Sequence, residues 1–228
     1  MLKFTPILLA ILYALAMYRF SVWRTSKELD GKSTELADGH LRDLCDRMAK
    51  ALDLERIKVH IYEIEPVNGL AAPDGRIFIT RGFYNRYRSG EVSGEEMASV
   101  IAHELGHVAL GHSRRRMIDF SGQNAIRAAL MMVLGRIIPG VGVWIANGLM
   151  SLLSARLSRQ DEYEADAYAS ALLVKSGIGT SPQKSLFTKL ERLTGGAGGS
   201  TPAWLLSHPK TEERIAAIEA NERKWVQG

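Results

Sequence analysis

The chain has 228 residues, 46% of them hydrophobic and 24% charged, which describes one ordinary globular domain with an appendage. Its single cysteine, Cys45, excludes an intramolecular disulfide framework. The formal charge of +4 and pI near 9.2 are only mildly basic, and without a recognition motif they do not describe a nucleic-acid binder.

From Phe4 to Tyr18 the chain is apolar apart from Thr5. The run is short for a membrane span, which takes about 20 residues and at least about 17. Phe20, Val22 and Trp23 extend it if Arg19 snorkels. The aromatic and basic stretch from Tyr18 to Arg24 reads as an interfacial belt, so residues 1–24 are expected to form an uncleaved membrane anchor and interfacial segment. A signal peptide is the competing reading, because Ala14-Leu15-Ala16 fits a small-residue cleavage pattern. Arg19, Arg24, Lys27 and Lys32 follow the apolar run, against Lys3 and the amino terminus before it. The positive-inside rule then favours the cytoplasmic over the periplasmic face for the remainder of the chain.

Residues 34 to 53 read as an amphipathic helix. Ile57, Val59 and Ile61 alternate as in a half-buried strand, and Arg76 to Thr80 form a second strand after a turn at Pro73-Asp74-Gly75. The next helix has a marked start. Ser93 and Glu96 make a capping box, the serine accepting from backbone amides and the glutamate reaching back. Met97, Val100, Ile101, Leu105 and Val108 keep a helical period, and Gly111 supplies a stop. Within this helix lies His103-Glu104-Leu105-Gly106-His107. At roughly 100° per residue the two histidines stand about 40° apart on one face. Such a face can hold a zinc ion, and the glutamate can reach a metal-bound water. Catalytic zinc takes three protein groups and a water, so one ligand is still missing. His112 does not supply it: on a continued helix it sits about 180° from His103.

Ala128 to Leu157 is a second apolar stretch, broken by Arg136, Pro139, Gly140 and Gly142 into pieces too short to cross a bilayer comfortably. It reads as a buried helical hairpin over the candidate site, or as a membrane-dipping lid. Arg114, Arg115 and Arg116 before it read as a solvated helix end, with anionic lipid as the other possible contact. Beyond it comes the run Ser158 to Asp166. Glu162 and Asp166 are four apart, so a helix puts both carboxylates on one face. One can bind the metal while the other accepts the outer N–H of a ligating histidine. The plain alternative is an acidic, solvated helix face. Small residues at Ala165, Ala167, Ala169, Ser170 and Ala171 let this helix approach the first one closely. Ser181-Pro182 starts a helix running to about Thr194. Gly195 to Gly199 is a flexible connector, and Thr211 to Arg223 a last helix. The expected fold is α+β, mostly α-helical with a small β-sheet, in one domain over residues 25–228.

These features resemble the HtpX-like, CAAX-prenyl-protease-like and BepA-like zinc metallopeptidases. The resemblance rests on the His103–His107 motif, on Glu162 to Asp166 preceded by Ser158-Arg159, and on Ser207-His208-Pro209 leading into the last helix. Val67-Asn68-Gly69-Leu70-Ala71, followed by Gly75 to Gly82, is similar to the family's Asn-Ala-Phe segment and edge strand. Gly69-Leu70 departs from the family's more usual alanine and phenylalanine.

The resemblance implies a gluzincin-type metalloendopeptidase at a bacterial-type inner membrane, cleaving misfolded or membrane-associated proteins. One zinc would sit on His103, His107 and Glu162, with Glu104 as general base and Asp166 orienting a ligating histidine. His208 is the candidate donor to the oxyanion; a reversible fourth ligand and a structural cap of the last helix are its other readings. Substrate is expected as an extended strand added beside the edge strand, with Asn68, Ile77 and Ile79 as candidate substrate-binding residues. Asn68 reads equally as a turn residue. A zinc-binding chaperone or adaptor with a site capped by His208 is the competing function.

Overall fold

A computed structural model describes residues 5–72, 74–112, 142–195 and 211–227. The chain divides into two units, Met1–Gly31 with His112–Leu157, and Lys32–Gly111 with Ser158–Gly228. In the first, α1 (Thr5–Gly31) is a helix of 27 residues. Leu12, Tyr13, Leu15, Phe20 and Trp23 are exposed along it, and Lys27 lies 5.2 Å from the centre of the Trp23 ring. No helix among the described residues is long and apolar enough to cross a membrane.

The second unit is built on four short strands, β1 (Ser33–Glu35), β2 (Val59–Tyr62), β3 (Gly69–Ala71) and β4 (Ile77–Thr80), in the order β1-β2-β4-β3. β2 and β4 run parallel, and the two outer strands pair antiparallel to them. Val59 and Ile61 face the core while His60 and Tyr62 are only half-buried, the alternation expected of a strand with one covered face. β4 is different. It is paired on both flanks, with Ile77 opposite Val59 on one side and Ala71 on the other. Its Ile77 and Ile79 are buried in the core cluster. The edge expected at residues 76–80 therefore lies one strand further out, at β3, and these isoleucines pack the core instead of facing a substrate.

Three helices follow from local signals. In α2 (Gly39–Ala51) the Asp38 side chain caps the start by accepting from the Leu41 amide at 3.0 Å. Leu41, Leu44, Cys45, Met48 and Ala49 then fall on one buried face. This corrects the expected helix over 34–53: residues 33–35 pair with β2, and the Leu36 amide still donates to the Val59 carbonyl at 3.0 Å. A helix not expected from the sequence, α3 (Arg81–Arg88), starts where Thr80 Oγ1 accepts from the Phe83 amide. α4 (Gly94–Ala109) carries the capping box, with Ser93 Oγ accepting from the Glu96 amide at 3.1 Å and Glu96 Oε2 from the Ser93 amide at 2.8 Å. It is buried from Met97 to His107.

Three more helices complete the described chain: α5 (Gly142–Lys175), α6 (Ser181–Gly195) and α7 (Thr211–Gln227). The backbone of residues 142–157, part of the expected apolar hairpin, is the opening of α5; residues 128–141 lie outside the described residues. The connector at residues 196–199 lies outside them too. Gly106 of α4 packs against α5 so closely that an added Cβ would stand 3.0 Å from both the Cα and the carbonyl oxygen of Ala165. Small residues on both helices make that approach possible. Leu172, Leu173, Leu186 and Leu190 close the core over α4 and the sheet, each contributing about 1.5–3 kcal/mol through burial.

Candidate metal centre

One turn of α4 supplies His103 and His107, both buried, with their Nε2 atoms 3.1 Å apart and the rings at 89° to one another. α5 brings Glu162 against them. One of its carboxylate oxygens lies 3.2 Å from His103 Nε2 and the other 3.4 Å from His107 Nε2. A tetrahedral zinc with bonds of about 2.0–2.2 Å separates neighbouring ligand atoms by about 3.3–3.5 Å. The three side chains thus converge with the donor types and spacing that such an ion takes, two imidazole nitrogens and a carboxylate. The electrostatics point the same way. Burial opposes a positive charge on His103, yet hydrogen bonds to Asp166 and Glu162 prevail and raise its pKa to about 9. The cluster is organised to hold positive charge.

Asp166, one turn beyond Glu162, lies on the other side of the His103 ring, with Oδ1 2.8 Å from Nδ1. Burial raises the pKa of Asp166, but the Arg214 guanidinium and the His103 ring outweigh it and hold the carboxyl below its usual range. Arg214 belongs to α7 and grips both oxygens at once, Nε to Oδ2 and Nη2 to Oδ1, each at 2.6 Å. Its guanidinium lies 4.0 Å from the centre of the Phe187 ring of α6. Beneath Asp166, the Gln183 side-chain amide donates to its main-chain carbonyl at 3.3 Å.

Arg214 has no counterpart in the sequence expectations. The available signal was its position, four residues before the buried Ile218 and thus on the covered face of α7, in a first turn whose free amides disfavour a cation.

The other candidates are placed as follows. Glu104 is buried on α4 and lies under β3, where a Cβ on Gly69 would stand 3.3 Å from its Oε1 and 2.7 Å from Val100 Cγ1. Glycine at position 69 is what lets the edge strand sit this close to the glutamate. The Asn68 main chain is engaged on both sides, its amide donating to Thr80 Oγ1 and its carbonyl accepting from the Thr80 amide, each at 3.0 Å. Its side-chain Oδ1 is buried without a hydrogen-bond partner among the described residues. His112 follows Gly111, whose φ of 70° takes the chain off the helix, and it is not one of the three converging donors. Ser207, His208 and Pro209 lie outside the described residues.

Against known proteins, the family model described as Peptidase family M48 matches residues 35–222. The chain belongs to this family. It is 29% identical over 198 residues to the metalloprotease LoiP of Escherichia coli, covering 84% of this chain and 75% of LoiP. The metalloprotease YcaL of the same organism is 31% identical over 162 residues, with 71% of this chain and 61% of YcaL covered. A protease HtpX homolog of Chlorobium phaeovibrioides is 24% identical over 235 residues, 87% of this chain and 77% of that protein. The M48 chain is a metalloendopeptidase, and the matched span contains β2–β4, α2–α6 and all three converging donors.

Proposed function

We propose that this M48 peptidase is a membrane-associated, zinc-dependent endopeptidase that hydrolyses misfolded or membrane-associated proteins. The observation that carries the reading is the convergence of His103, His107 and Glu162, with Glu104 on the same helix under the edge of the sheet. These three side chains would hold one zinc per chain, which supplies Lewis acidity and brings a bound water into reach of deprotonation near pH 7. Glu104 takes the proton of the attacking water on its carboxylate and returns it to the departing amine. Asp166 accepts from His103 Nδ1–H and so turns the Nε2 lone pair toward the other donors. His208 donates to the developing oxyanion.

The substrate binds as a strand beside β3. Asn68 and Ala72 bond to Thr80 and Arg76 across the hairpin, so the alternation of an antiparallel pair turns the Gly69 amide and carbonyl away from β4. A peptide laid there by β-augmentation runs past Glu104, and the Asn68 side-chain amide holds its backbone. Such recognition is largely indifferent to side chains, which suits unfolded substrates. Residues 1–24 associate with the membrane, supported by the exposed Leu12, Tyr13, Leu15, Phe20 and Trp23 of α1.

The test pairs zinc content with cleavage of an unfolded protein such as casein, in wild type and Glu104→Gln. The expected result is about one zinc per chain in both proteins and turnover at least about a hundredfold lower in the variant. Wild-type protein that binds no zinc sinks the reading. Zinc in both proteins with cleavage by neither removes the peptidase and leaves the chaperone.

A further inference from the structure

Arg214 is the largest fully buried side chain of the described residues, and it lies beside the candidate centre. Placing it there is expensive. A buried guanidinium loses its hydration, and the first turn of a helix presents unpaired amides that repel a cation. The two preceding residues, Glu212 and Glu213, are the charges that such a turn favours. What balances the cost is a set of contacts reaching three other helices: the Asp166 carboxylate of α5, the Phe187 ring of α6 and, through Asp166, His103 of α4.

The hydrogen-bond chemistry of this chain of groups runs in one direction only. A guanidinium has five N–H donors and no acceptor. Its two bonds to Asp166 therefore require a lone pair on each carboxylate oxygen. Oδ1 already receives Nη2–H at 2.6 Å, so its 2.8 Å contact with His103 Nδ1 is an acceptance and Nδ1 carries the hydrogen. Nε2, on the opposite side of the ring and facing His107 and Glu162, is then the nitrogen whose proton a metal ion would displace to reach a lone pair. The two-point fork also fixes the plane of the carboxylate, and with it the tilt of the imidazole. A lysine at this place could supply the charge but not the plane.

We propose that Arg214 is a positioning residue of the metal centre: by gripping both oxygens of Asp166 it sets the tautomer and tilt of His103, and it makes the donor geometry depend on the seating of α7. The inference rests on the reading of His103, His107 and Glu162 as metal ligands, and it adds a residue 111 positions from His103 in the chain. It also gives α7 a task beyond packing, since the helix delivers its arginine to Asp166 only when docked against α6.

The experiment uses the full chain as wild type, Arg214→Lys, Arg214→Met, Asp166→Asn and the double variant Arg214→Met with Asp166→Asn. Each protein is stripped of metal and titrated with Co2+ and Zn2+ against a chromophoric chelator. The visible spectrum of the Co2+ form is recorded at saturation, and casein cleavage is split into kcat and KM. Outer-sphere partners of this kind typically govern metal affinity by about 10–100-fold. Arg214→Lys and Arg214→Met are expected to bind one metal per chain about 10–100-fold more weakly, with an altered Co2+ envelope at saturation, lower kcat and unchanged KM. Lysine is not expected to rescue. The double variant, with no buried charge left unpaired, is expected to fold like wild type and to show the same weaker affinity as Asp166→Asn alone, because Arg214 acts on the centre only through Asp166. Wild-type affinity and Co2+ spectrum in that folded double variant, or full rescue by lysine, overturn the inference while leaving the metal centre intact. Wild-type protein that binds neither metal overturns the functional reading, and this inference with it.

Discussion

The two ends of α4 solve the same electrostatic problem with different materials. At the N-terminal end the buried Glu96 is matched within the protein: the Lys189 ammonium at 2.8 Å, the Ser185 hydroxyl at 2.6 Å and the Ser93 amide at 2.8 Å all donate to it. Some 10–16 Å along the helix, the buried Glu162 meets two imidazoles, and the cation proposed for this end is a metal ion. One end is a finished structural joint. The other, on the proposed reading, is a centre completed by a bound ion, so removal of that ion should disturb one half of a single helix.

Metal removal is the largest test of that difference. Chelation is expected to abolish cleavage and to lower the melting temperature, because an ion that binds only the folded chain contributes about 4 kcal/mol when present at roughly a thousand times its Kd. Hydrogen exchange should then rise at the amides of residues 103–107 and stay unchanged at residues 94–98. A uniform rise along the helix would break the comparison, since the capping joint would then depend on the metal as well.

A smaller effect is expected where α4 meets α5. Gly106→Ala puts a Cβ 3.0 Å from the Ala165 main chain, which has no rotamer by which to yield. Overpacking of this kind costs about 1–3 kcal/mol, and it pushes the ligands of α4 away from Glu162. Denaturant unfolding and metal titration of the variant should therefore shift together. Gly69→Ala is the control on the other face, where the nearest atom is the tip of Val100 and the metal donors are not between the two backbones. That variant is expected to lose cleavage with metal affinity kept. Equal loss of metal affinity in both would show that the donor spacing is not governed by the α4–α5 approach.

How much of this could be read in the sequence follows from how far apart the interacting groups are in the chain. Both histidines, the glutamate between them and the capping box lie in one helix, whose period alone puts them in place. Glu162 and Asp166 share a second helix, so their common face is equally local. The strand order is not local. β4 is expected at an edge and yet is flanked on both sides, because three residues at β3 fold back on it; its continuous apolar run, Ile77-Phe78-Ile79, is the sequence trace of that double flanking. β1 and α3 are short, and their composition gives no sustained period; α3 shows only the Thr80 cap and a buried Phe83. Arg214 is the extreme case, a buried charge whose partners come from three other helices.

The smallest test addresses the finished end. Burial raises the pKa of Glu96, but the bonds from Lys189, Ser185 and the Ser93 amide outweigh it, and the folded-state value is below the usual 4.5. A carboxylate depressed in this way contributes stability that is fully present above its unfolded pKa and lost as pH falls through its folded pKa. Glu96→Gln is therefore expected to lower unfolding stability at pH 7 by about 1–3 kcal/mol, the range for hydrogen bonds to a charged group. The gap to wild type should narrow as pH drops below about 4.5, where the wild-type carboxylate gains its own proton. Urea unfolding of metal-free protein at pH 7 and pH 3 measures this without interference from the other end. If the gap stayed constant across that range, Glu96 would be acting as a neutral cap, and Lys189 would not be the internal counterpart of the metal ion.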